Sequence, residues 1–598
     1  MSEQKTFPKG GQFLLEEIDF QNVFTPEDFT EEQKMIARTT RDFVAGEVEP
    51  KHEEIEKLDY ELTVKLLRQA GDLGLLSADI PEAFGGLALD KISSSLIGEN
   101  MTRGGSFALS HGAHIGIGTL PIVFFGTKEQ KENYLPALAT GEKIAAYCLT
   151  EPSSGSDALG AKTTAVLNAE GTHYILNGSK QFITNAGFAD VFIVYAKVDG
   201  EKFTAFIVER GFNGVSTGPE EKKMGIKGSS TRPLILEDVA VPVENLLGEI
   251  GKGHQIAFNI LNIGRYKLGV GGVGSTKLGV ELAVKYAKER KQFNTPIASF
   301  PLIQNKLANM AIRTYVNESL TYRTGAYLDE AVKDLNLDEY AGNEAAKAIE
   351  EHAVEYSICK VFGSEALDFV ADEAVQIHGG YGFIQEYAVE QMYRDSRINR
   401  IFEGTNEINR LLIPGTILKR ALKGRLALMP ALESLQKELT SYVPPVTLEE
   451  TGEVLSAETK MLELAKKVFL MAGGVAVQKY MQNIEQQQEI LSNLADLVIT
   501  IYAAESALLR AKKTATAKGE EAARLQIEMT RAYFHDVWGN IEKWSKEVLV
   551  AASEGDMQRT QLSILKKLLR VQPIDTISLK RSIAAAVIEA EQYVTSAK

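Results

Sequence analysis

Three short stretches decide the fold class of this chain: THYILNGSKQFIT (172–184), VFIVYAKV (191–198) and FTAFIVER (203–210). Each is rich in valine, isoleucine, phenylalanine and tyrosine, a composition typical of β-strands. The pairs NG (177–178) and DG (199–200) are turn signals, and we expect them to separate strands. The region over 144–255 is therefore predicted to be a β domain.

Helical patterns lie on both sides of this β region. EEQKMIARTTRDFVAGEV (31–48) repeats apolar residues every three or four positions, as an amphipathic helix does. We predict helical domains over 26–143, 256–422 and 450–598, with a linker at Pro444 and Pro445 before the last of them. Helical domains around a β domain predict the α+β class.

The composition excludes several classes of protein. The chain has 598 residues and a net charge of −15, and this acidic balance disfavours a nucleic-acid surface, which needs clustered lysine and arginine. Its two cysteines are too few for a disulfide framework, so a reducing compartment is expected. They form no CxxC or Cys/His spacing, so we expect no metal site.

Membrane signals are weak in this sequence. The start, MSEQKTFPKGGQF (1–13), lacks the basic beginning and apolar centre of a signal peptide. No uninterrupted apolar run is expected to span a bilayer, because the nearest candidate, 494–509, contains Asp496 and Glu505. KMLELAKKVFLMAGG (460–474) is interpreted either as a peripheral membrane helix or, with its few cations, as a helix buried in its own bundle. We favour burial and a cytoplasmic protein.

The last helical region repeats part of the one before it. LANMAIRTYVNESLTYR (307–323) aligns without gaps to LADLVITIYAAESALLR (494–510), with seven identities in 17 positions. Helices of similar composition produce some identities by chance. We nevertheless interpret the match as a duplicated helical bundle.

A glycine motif in the third region is a decoy. GVGGVG (269–274) matches the GxGxxG pattern of dinucleotide-binding folds. That interpretation requires a strand before the motif and an acidic residue at the end of the next strand. The preceding HQIAFNILNIGRYKL (254–268) has a helical period instead. The glycines are therefore predicted to allow close packing of helices.

Five stretches carry candidate chemistry: YCLTEPSSGSD (147–157), KQFITN (180–185), ERKQF (289–293), QIHGGYGF (376–383) and RIFEGTNE (400–407). The first offers backbone N–H groups and hydroxyls to a polar ring or a phosphate, although such a loop alone is more often plain surface. Arg290 follows a predicted helix, where a guanidinium is suited to a phosphate. Glu403 is interpreted either as a charge at a helix end or as a base in an apolar site.

These stretches, in this order and spacing, resemble the acyl-CoA dehydrogenase family. The resemblance covers 26–422 and includes three further motifs: PEAFGG (81–86), GTKEQKENYLPALATGE (126–142) and LEDVAVPVENLLGE (236–249). The helical region after 425, together with EKKMGIKGSST (221–231), is similar to the very-long-chain branch of the family. The resemblance implies a barrel-like β domain, a C-terminal four-helix bundle and an extra helical domain beyond it.

The resemblance also implies a function. Family members oxidise acyl-CoA thioesters to trans-2-enoyl-CoA with FAD and pass electrons to electron-transfer flavoprotein, so the expected role is fatty acid β-oxidation. In the very-long-chain branch the added domain caps the bundle, and a homodimer is expected. An acyl-CoA oxidase and a non-catalytic assembly protein on the same fold are the alternatives.

Individual roles follow by match to the family motifs. Glu403 is expected to be the base, and its own N–H is expected to bind the thioester carbonyl. The residues expected to line the flavin of this subunit are Tyr147, Leu149, Thr150, Ser156, Phe182, Ile183, Thr184, Thr405 and Glu407. Those expected to reach a neighbouring subunit's FAD are Arg290, Gln292, Gln376, Gly379 and Gly380. Those expected at the substrate are Ser156, Asn262, Arg265 and Gly404.

Three positions and one stretch depart from family patterns or bear on specificity. Phe182 stands where many members have tryptophan, and Pro301 stands where many have glutamine, which puts that contact in doubt because proline donates no hydrogen bond. Gly264 occupies the place of the base in the isovaleryl-type branch, so straight acyl chains are favoured over branched ones. The small residues of SHGAHIGIG (110–118) are interpreted either as room for a long acyl chain or as simple helix packing.

Overall fold

The computed structural model describes residues 7–441 and 452–596, and its first layer is helical. The N-terminal helices are α1 (Glu31–Phe43), α2 (His52–Glu56), α3 (Tyr60–Asp72), α4 (Lys91–Met101), α5 (Ser106–Ala113), α6 (Leu120–Phe125) and α7 (Lys128–Thr140). Helix α1 begins at a capping box in which Thr30 and Gln33 satisfy each other's backbone N–H groups. A π-helical turn, His114–Gly118, follows α5.

One segment of the described residues, Ser106–Phe125, is long and apolar enough to cross a membrane by length and composition. The expectation that no such run exists was therefore wrong. The reason is burial, since 78% of that window lies inside the protein, where a core helix needs the same apolar residues.

The central domain is one mixed sheet. Its strands are β1 (Ala145–Cys148), β2 (Thr164–Leu167), β3 (His173–Thr184), β4 (Val191–Val198), β5 (Lys202–Glu209), β6 (Val215–Thr217), β7 (Thr231–Pro242) and β8 (Leu246–Leu247). They pair in the order β6-β7-β3-β2-β4-β5-β8, and β1 adds to β4 in parallel. The sheet with helices before and after it confirms the predicted α+β class.

The two turn signals have different outcomes. Asp199 and Gly200 connect β4 to β5, as predicted. Asn177 and Gly178 instead lie inside β3, where the pairing with β7 shifts between Leu176 and Gly178. The predicted turn at 177–178 was therefore wrong, because a glycine in a strand also marks an irregularity in the pairing. A side chain at Gly178 would lie 2.4 Å from the Thr163 hydroxyl.

The third region is a bundle built on one long helix. Its elements are α8 (Gly253–Glu289), β9 (Lys291–Gln292), β10 (Thr295–Pro296), α9 (Pro301–Val332), α10 (Gly342–Glu350), α11 (Ala353–His378), α12 (Ala388–Ser396) and α13 (Asn406–Leu422). Helices α8, α9, α11 and α13 pack together. The GVGGVG stretch lies within α8, and a Cβ at Gly272 would come within 2.9 Å of the Gly363 carbonyl on α11. The prediction of close helix packing is confirmed.

A second group of helices covers this bundle. Its members are α14 (Leu428–Ser441), α15 (Ser456–Tyr480), α16 (Gln488–Lys518), α17 (Arg524–Ala552), α18 (Gly555–Leu568) and α19 (Thr576–Ala590). Helices α16 and α19 both pack on α9. The predicted linker at Pro444 and Pro445 lies outside the described residues. In α15 the apolar residues over 461–472 are largely buried, which supports the interpretation of 460–474 as a helix of the bundle.

Helices α9 and α16, which carry the internal repeat, meet in a reciprocal contact that we call the seam. Glu318 and Arg323 of α9 align with Glu505 and Arg510 of α16. Arg323 Nη2 lies 2.8 Å from Glu505 Oε2, and Arg510 Nη1 lies 2.7 Å from Glu318 Oε2. The arginine of each helix therefore pairs with the glutamate at the aligned position of the other helix.

The exchange extends to neighbouring residues. Arg323 donates to the Ser506 hydroxyl at 3.0 Å, and Arg510 donates to the equivalent Ser319 at 3.2 Å. Each guanidinium also lies over an aligned aromatic ring, 4.5 Å from the centre of Tyr502 and 4.9 Å from that of Tyr315. This reciprocity is the pattern of a two-fold symmetric interface and supports the predicted duplication.

An N-terminal strap, residues 8–28, holds the two helical groups together. Gly11 N–H donates to Glu355 of α11 at 2.7 Å, while Phe13 packs on Tyr502 of α16. Further along, Glu27 pairs with Arg510 at 2.7 Å. Most of the strap precedes the first predicted domain, which begins at residue 26, and its role was not foreseen because it has no helical or strand periodicity.

Candidate active site

The turn between residues 400 and 406 presents Glu403 to the interior. Glu403 and Gly404 both have positive φ, +56° and +79°, a conformation that costs a non-glycine residue energy and occurs often at functional sites. Thr405 then caps α13 by accepting the Ile408 N–H at 3.2 Å. The Asn409 amide donates to the carbonyl of Gly404 at 2.9 Å, which fixes the turn from its other side.

One oxygen of the Glu403 carboxylate is buried without a hydrogen-bonding partner. That oxygen, Oε2, is inaccessible and unpaired, and it would lie 2.7 Å from a Cβ placed on Gly264. Burial raises the pKa of Glu403 from 4.5 to about 7, against the opposing charges of Arg265 and Lys360. The group can therefore accept a proton near neutral pH, which a solvated carboxylate does poorly. Of the two interpretations of Glu403, the structure favours the base.

Arg265 holds the backbone of Glu403 rather than its carboxylate. Its Nε donates to the Glu403 carbonyl at 3.2 Å, and its Nη1 donates to Asn262 Oδ1 at 2.8 Å. Both side chains are almost fully buried. Asn262, expected at the substrate, therefore has its carbonyl oxygen engaged by Arg265. No hydrogen bond from the Glu403 N–H occurs among the described residues, which leaves that donor free for a bound carbonyl.

Lys360 is a charged neighbour that the sequence interpretation missed. Its side chain is completely buried in α11, and its Nζ donates to Asn406 Oδ1 at 2.6 Å, at the start of α13. Burial lowers the pKa of Lys360 to about 7, while the charge of Glu403 opposes that shift. The only signal in the sequence was a lysine within the otherwise apolar run SICKVFG (357–363).

A cavity of about 990 Å³ lies in front of Glu403. It brings Thr184 at the end of β3 together with Gly264 and Glu403. Gly112, Ala113 and Gly116 also line it, so most small residues of 110–118 make room in the cavity. Gly118 differs, because a Cβ there would lie 2.8 Å from Ala145 Cβ, and its small size serves packing. The two interpretations of that stretch therefore apply to different glycines.

A bulge in β3 shapes the wall beside the cavity. The pairing with β7 shifts between Lys180 and Ile183, and Phe182 adopts a φ of +59° with its ring 61% exposed. Gln181 N–H donates to the Thr150 carbonyl at 2.8 Å and joins the 147–157 loop to the bulge. A buried ion pair, Lys180 Nζ to Glu151 at 2.7 Å, anchors the same loop.

The other residues expected at the flavin in this subunit differ in exposure. Tyr147 and Leu149 are buried, Thr150, Thr184 and Thr405 are half-buried, and Ser156 and Glu407 are exposed. The Tyr147 hydroxyl donates to the Ala257 carbonyl of α8 at 3.4 Å. The side chain of Ile183 is buried in the core that the β domain shares with the N-terminal helices.

The remaining predicted cofactor residues form a separate, distant cluster. The members, all exposed, are Arg290, Gln292, Gln376, Gly379 and Gly380. The Arg290 guanidinium lies 5.3 Å from the centre of the Tyr381 ring, which brings the two stretches together. From Gly264 to Glu289, α8 runs without a break, and 25 residues at about 1.5 Å each span about 38 Å. This cluster and Glu403 therefore cannot touch one small ligand within a single chain.

Pro301, where a glutamine contact was doubted, is the first residue of α9. Proline is favoured there because that N–H has no helical partner. Among residues 7–441 and 452–596, no group of three His, Cys, Asp or Glu side chains is suited to a metal ion.

Comparison with known proteins agrees with this site. Four family profiles match: the N-terminal domain of acyl-CoA dehydrogenase over 30–142, the middle domain over 146–239, and C-terminal domains over 251–418 and 464–567. A probable acyl-CoA dehydrogenase of Bacillus subtilis is 58% identical over 587 residues, covering 98% of each chain. The chain belongs to the acyl-CoA dehydrogenase family.

Relatives also support the long form and the cofactor. The very long-chain specific acyl-CoA dehydrogenase of Macaca fascicularis is 37% identical, with 86% of this chain and 80% of the relative covered. A crystal structure of an acyl-CoA dehydrogenase complexed with FAD from Bacillus anthracis is 57% identical, with 98% and 100% coverage and a TM-score of 0.95. The shorter butyryl-CoA dehydrogenase of Megasphaera elsdenii is 36% identical and covers 65% of this chain and 99% of its own, with a TM-score of 0.60.

This acyl-CoA dehydrogenase is therefore an oxidoreductase that acts on CH–CH bonds with FAD. The chain's own residues fit a flavin beside Glu403. The bulge turns the aromatic ring of Phe182 outward, and Thr184 lines the cavity that the base faces. The exposed loop with Ser156 adds hydroxyl and backbone donors of the kind that bind a polar ring system.

Proposed function

We propose that this enzyme oxidises straight, long-chain acyl-CoA thioesters to trans-2-enoyl-CoA in fatty acid β-oxidation, with Glu403 as the base. One observation carries the proposal: a carboxylate with a buried, unpaired oxygen lines a cavity of about 990 Å³. Burial destabilises a carboxylate as an anion, so it gains free energy by taking a proton even with the charges of Arg265 and Lys360 nearby.

Glu403 would remove the α-proton of the thioester. That proton is a very weak acid. A base with a pKa near 7 lies closer to the pKa of the α-proton than an ordinary carboxylate does, so the proton transfer is less unfavourable. The free Glu403 N–H is suited to bind the thioester carbonyl as negative charge develops on its oxygen. When bound, FAD accepts the β-hydrogen as a hydride. Arg265 keeps both functions of Glu403 in place through the carbonyl of the same residue.

Two features support straight and long acyl chains. Gly264 faces the carboxylate so closely that only glycine leaves it undisturbed, and no second base stands at that position. The cavity extends past Gly112, Ala113 and Gly116, where larger side chains would shorten it. Similarity to very long-chain specific relatives points the same way.

We further propose a homodimer. The exposed cluster around Arg290 lies about 38 Å along α8 from the base, so a second subunit would bring it to the flavin. Large apolar side chains surround that cluster, with Phe293 90% and Phe383 84% exposed. The seam occupies α9 from within the chain and leaves that helix closed to further copies. Light scattering on the holoenzyme tests this, and a tetramer would contradict it.

The electron acceptor distinguishes a dehydrogenase from an acyl-CoA oxidase. We propose electron-transfer flavoprotein as acceptor, and the test is a series of saturated acyl-CoA substrates assayed anaerobically with that protein and in air without it. We expect turnover with the flavoprotein, an optimum at long chains, and slow reoxidation by oxygen. Rapid turnover in air alone would favour an oxidase. A yellow protein that no acyl-CoA bleaches would favour the non-catalytic alternative.

A further inference from the structure

One glycine of the GVGGVG stretch (269–274) is not explained by the packing of helices. Cβ atoms on Gly269, Gly272 and Gly274 would each come within 3.0 Å of an atom of α11 or α4, so these three positions have no room for a side chain. A Cβ on Gly271 would meet no atom within 4 Å outside its chain neighbours and the backbone of its own helix. A glycine inside a helix makes that helix less stable than an alanine does, so Gly271 calls for a different reason.

Gly271 lies on the face of α8 that borders the cavity in front of Glu403. From the glycine that faces the carboxylate onward, the residues of α8 that line this cavity are Gly264, Lys267, Leu268, Val270, Gly271, Ser275, Leu278 and Leu282. Most of them follow a spacing of three or four, so they form one stripe along the helix. The open space at Gly271 is therefore part of the cavity, and the cavity continues along α8 beyond it.

The other helices that border the cavity also contribute small residues. Gly98 of α4 lines it, as do Gly105, Ala108 and Gly112 before and within α5. A Cβ on Gly112, like one on Gly271, would meet no atom within 4 Å outside its own helix backbone and its neighbours. The cavity therefore has room at both helices, and a large side chain on α8 would fill it.

The position of Gly271 along α8 corresponds to a definite length of acyl chain. Gly271 lies seven residues after Gly264, or about 10.5 Å at about 1.5 Å per residue, and Ser275 lies about 16.5 Å after it. An extended carbon chain advances about 1.2 Å per bond, since the three backbone bonds of an extended residue span about 3.5 Å. A chain that follows the stripe from Glu403 would pass Gly271 near about its tenth carbon and Ser275 near about its fifteenth.

We propose that Gly271 determines which acyl chains the enzyme accepts, because its missing side chain lets a long chain continue along α8. The inference rests on the proposed function, since it takes the cavity in front of Glu403 as the site of the acyl group. Short chains end before Gly271 and do not depend on it, whereas long chains pass it. Gly271 sets specificity and takes no part in the chemistry.

The test is the chain-length profile of kcat/KM for Gly271→Leu, from octanoyl-CoA to arachidoyl-CoA. We expect octanoyl-CoA to react as with the wild type, because its chain ends before the new side chain. Each buried methylene contributes roughly fourfold to binding, so palmitoyl-CoA, with several methylenes beyond Gly271, should lose at least about 100-fold. Ser275→Leu places the same side chain one turn later, and its loss should begin about five carbons further along the series.

Gly415→Leu is the matched control. Gly415 is an exposed glycine of α13 with open space at its Cβ, and it is not among the residues that line the cavity. The same substitution there should leave the profile unchanged. Leucine favours a helix more than glycine does at all these positions, so the variants are expected to fold, and FAD content checks this.

The outcomes separate this inference from the proposed function. An unchanged profile in Gly271→Leu, or an equal loss at every chain length, overturns the role of Gly271 and leaves the function intact. The same cut-off in Gly271→Leu and Ser275→Leu also overturns it, because distance along α8 would then not govern length. If Gly271→Leu fails to bind FAD, Ser275→Leu decides, and an unchanged profile there overturns the inference. Absence of acyl-CoA turnover in the wild-type holoenzyme would instead refute the proposed function.

Discussion

Two regions of this molecule bury carboxylates and treat them in opposite ways. At the turn over residues 400–406, Glu403 Oε2 has no hydrogen-bonding partner, and burial raises the pKa of this carboxyl to about 7. At the seam, Glu318 meets Arg510 at 2.7 Å and Lys277 at 2.5 Å. Burial alone would raise the pKa of Glu318, as it does at Glu403. The charges of Lys277 and Arg510 outweigh burial, and the pKa of Glu318 is lowered.

Whether a buried carboxylate is paired decides whether it is suited to proton transfer or to holding two surfaces together. A buried anion that is fully paired remains an anion, and it specifies which surfaces meet. A buried anion left unpaired is held in an unfavourable state, and it gains free energy by taking a proton. The same residue type thus serves two purposes, and the surrounding charges decide which.

The largest expected effect comes from removing the unpaired carboxylate. Glu403→Gln keeps the shape of the side chain but removes its ability to accept a proton, and we expect kcat to fall about 10³-fold or more. Stopped-flow reduction of the bound flavin by an acyl-CoA measures this directly. FAD content serves as the control and is expected to remain complete. Near wild-type reduction would place the base elsewhere.

Breaking the seam is expected to act on stability instead. Arg510→Met removes the cation that Glu27 and Glu318 share, while Lys277 still pairs with Glu318, so we expect a loss below the about 3 to 5 kcal/mol of a buried charge left wholly unpaired. Calorimetry of the holoenzyme is expected to show a lower Tm. The double variant Arg510→Met with Glu318→Leu is the control, and it should recover part of the loss. No change in Tm would show that the seam contributes little to holding the two helical groups together.

Replacing the carboxylate with an amide should change the stability of the two regions in opposite directions. The pKa of Glu403 rises from 4.5 to about 7 on folding, so its effect on stability is neutral below pH 4.5 and becomes unfavourable as pH rises through 7. Glu403→Gln is therefore expected to gain at most about 3 kcal/mol above pH 7. Glu318→Gln should lose stability over the same range, because its folded pKa is lowered. Tm values at pH 5 and 8 decide both signs.

The smallest expected effect concerns Lys360, the second of the two cations whose charges act on Glu403. Its charge lowers the pKa of Glu403, so Lys360→Met should raise that pKa further. The acid limb of kcat/KM then moves to higher pH, and the rate at pH 6 falls by up to about tenfold while the rate at pH 9 is unchanged.

Ser364→Ala is the matched control for Lys360. It also removes a contact to Asn406, at 3.1 Å, but carries no charge. A pH profile that moves equally in both variants would assign the effect to the position of α13 rather than to charge.

Local patterns in the sequence foretold much of this architecture. Strand composition over 191–210 and helical periods on both sides predicted the α+β class, and the helical period around 269–274 correctly rejected a nucleotide motif. The pair at 177–178 misled because glycine marks a bulge as readily as a turn. The run over 106–125 was overlooked because a core helix and a membrane helix share the same composition.

The sequence predicted only those parts of the site that are formed by residues close together in the chain. The turn around Glu403 and the facing Gly264 were identified because short motifs carry them. Lys360 and the ion pair of Lys180 with Glu151 were not identified. Their partners are far apart in the chain, and a lone lysine in a sequence does not reveal which carboxylate it will meet.

The seam has a consequence for the behaviour of this enzyme on dilution. A contact between separate chains weakens as their concentration falls, whereas a contact between two parts of one chain has a fixed effective concentration. Because α16 is covalently joined to the helix that it covers, and the N-terminal strap binds across both, this cover is independent of enzyme concentration. The bundle that supports Glu403 therefore keeps one complete flank even at the lowest expression level.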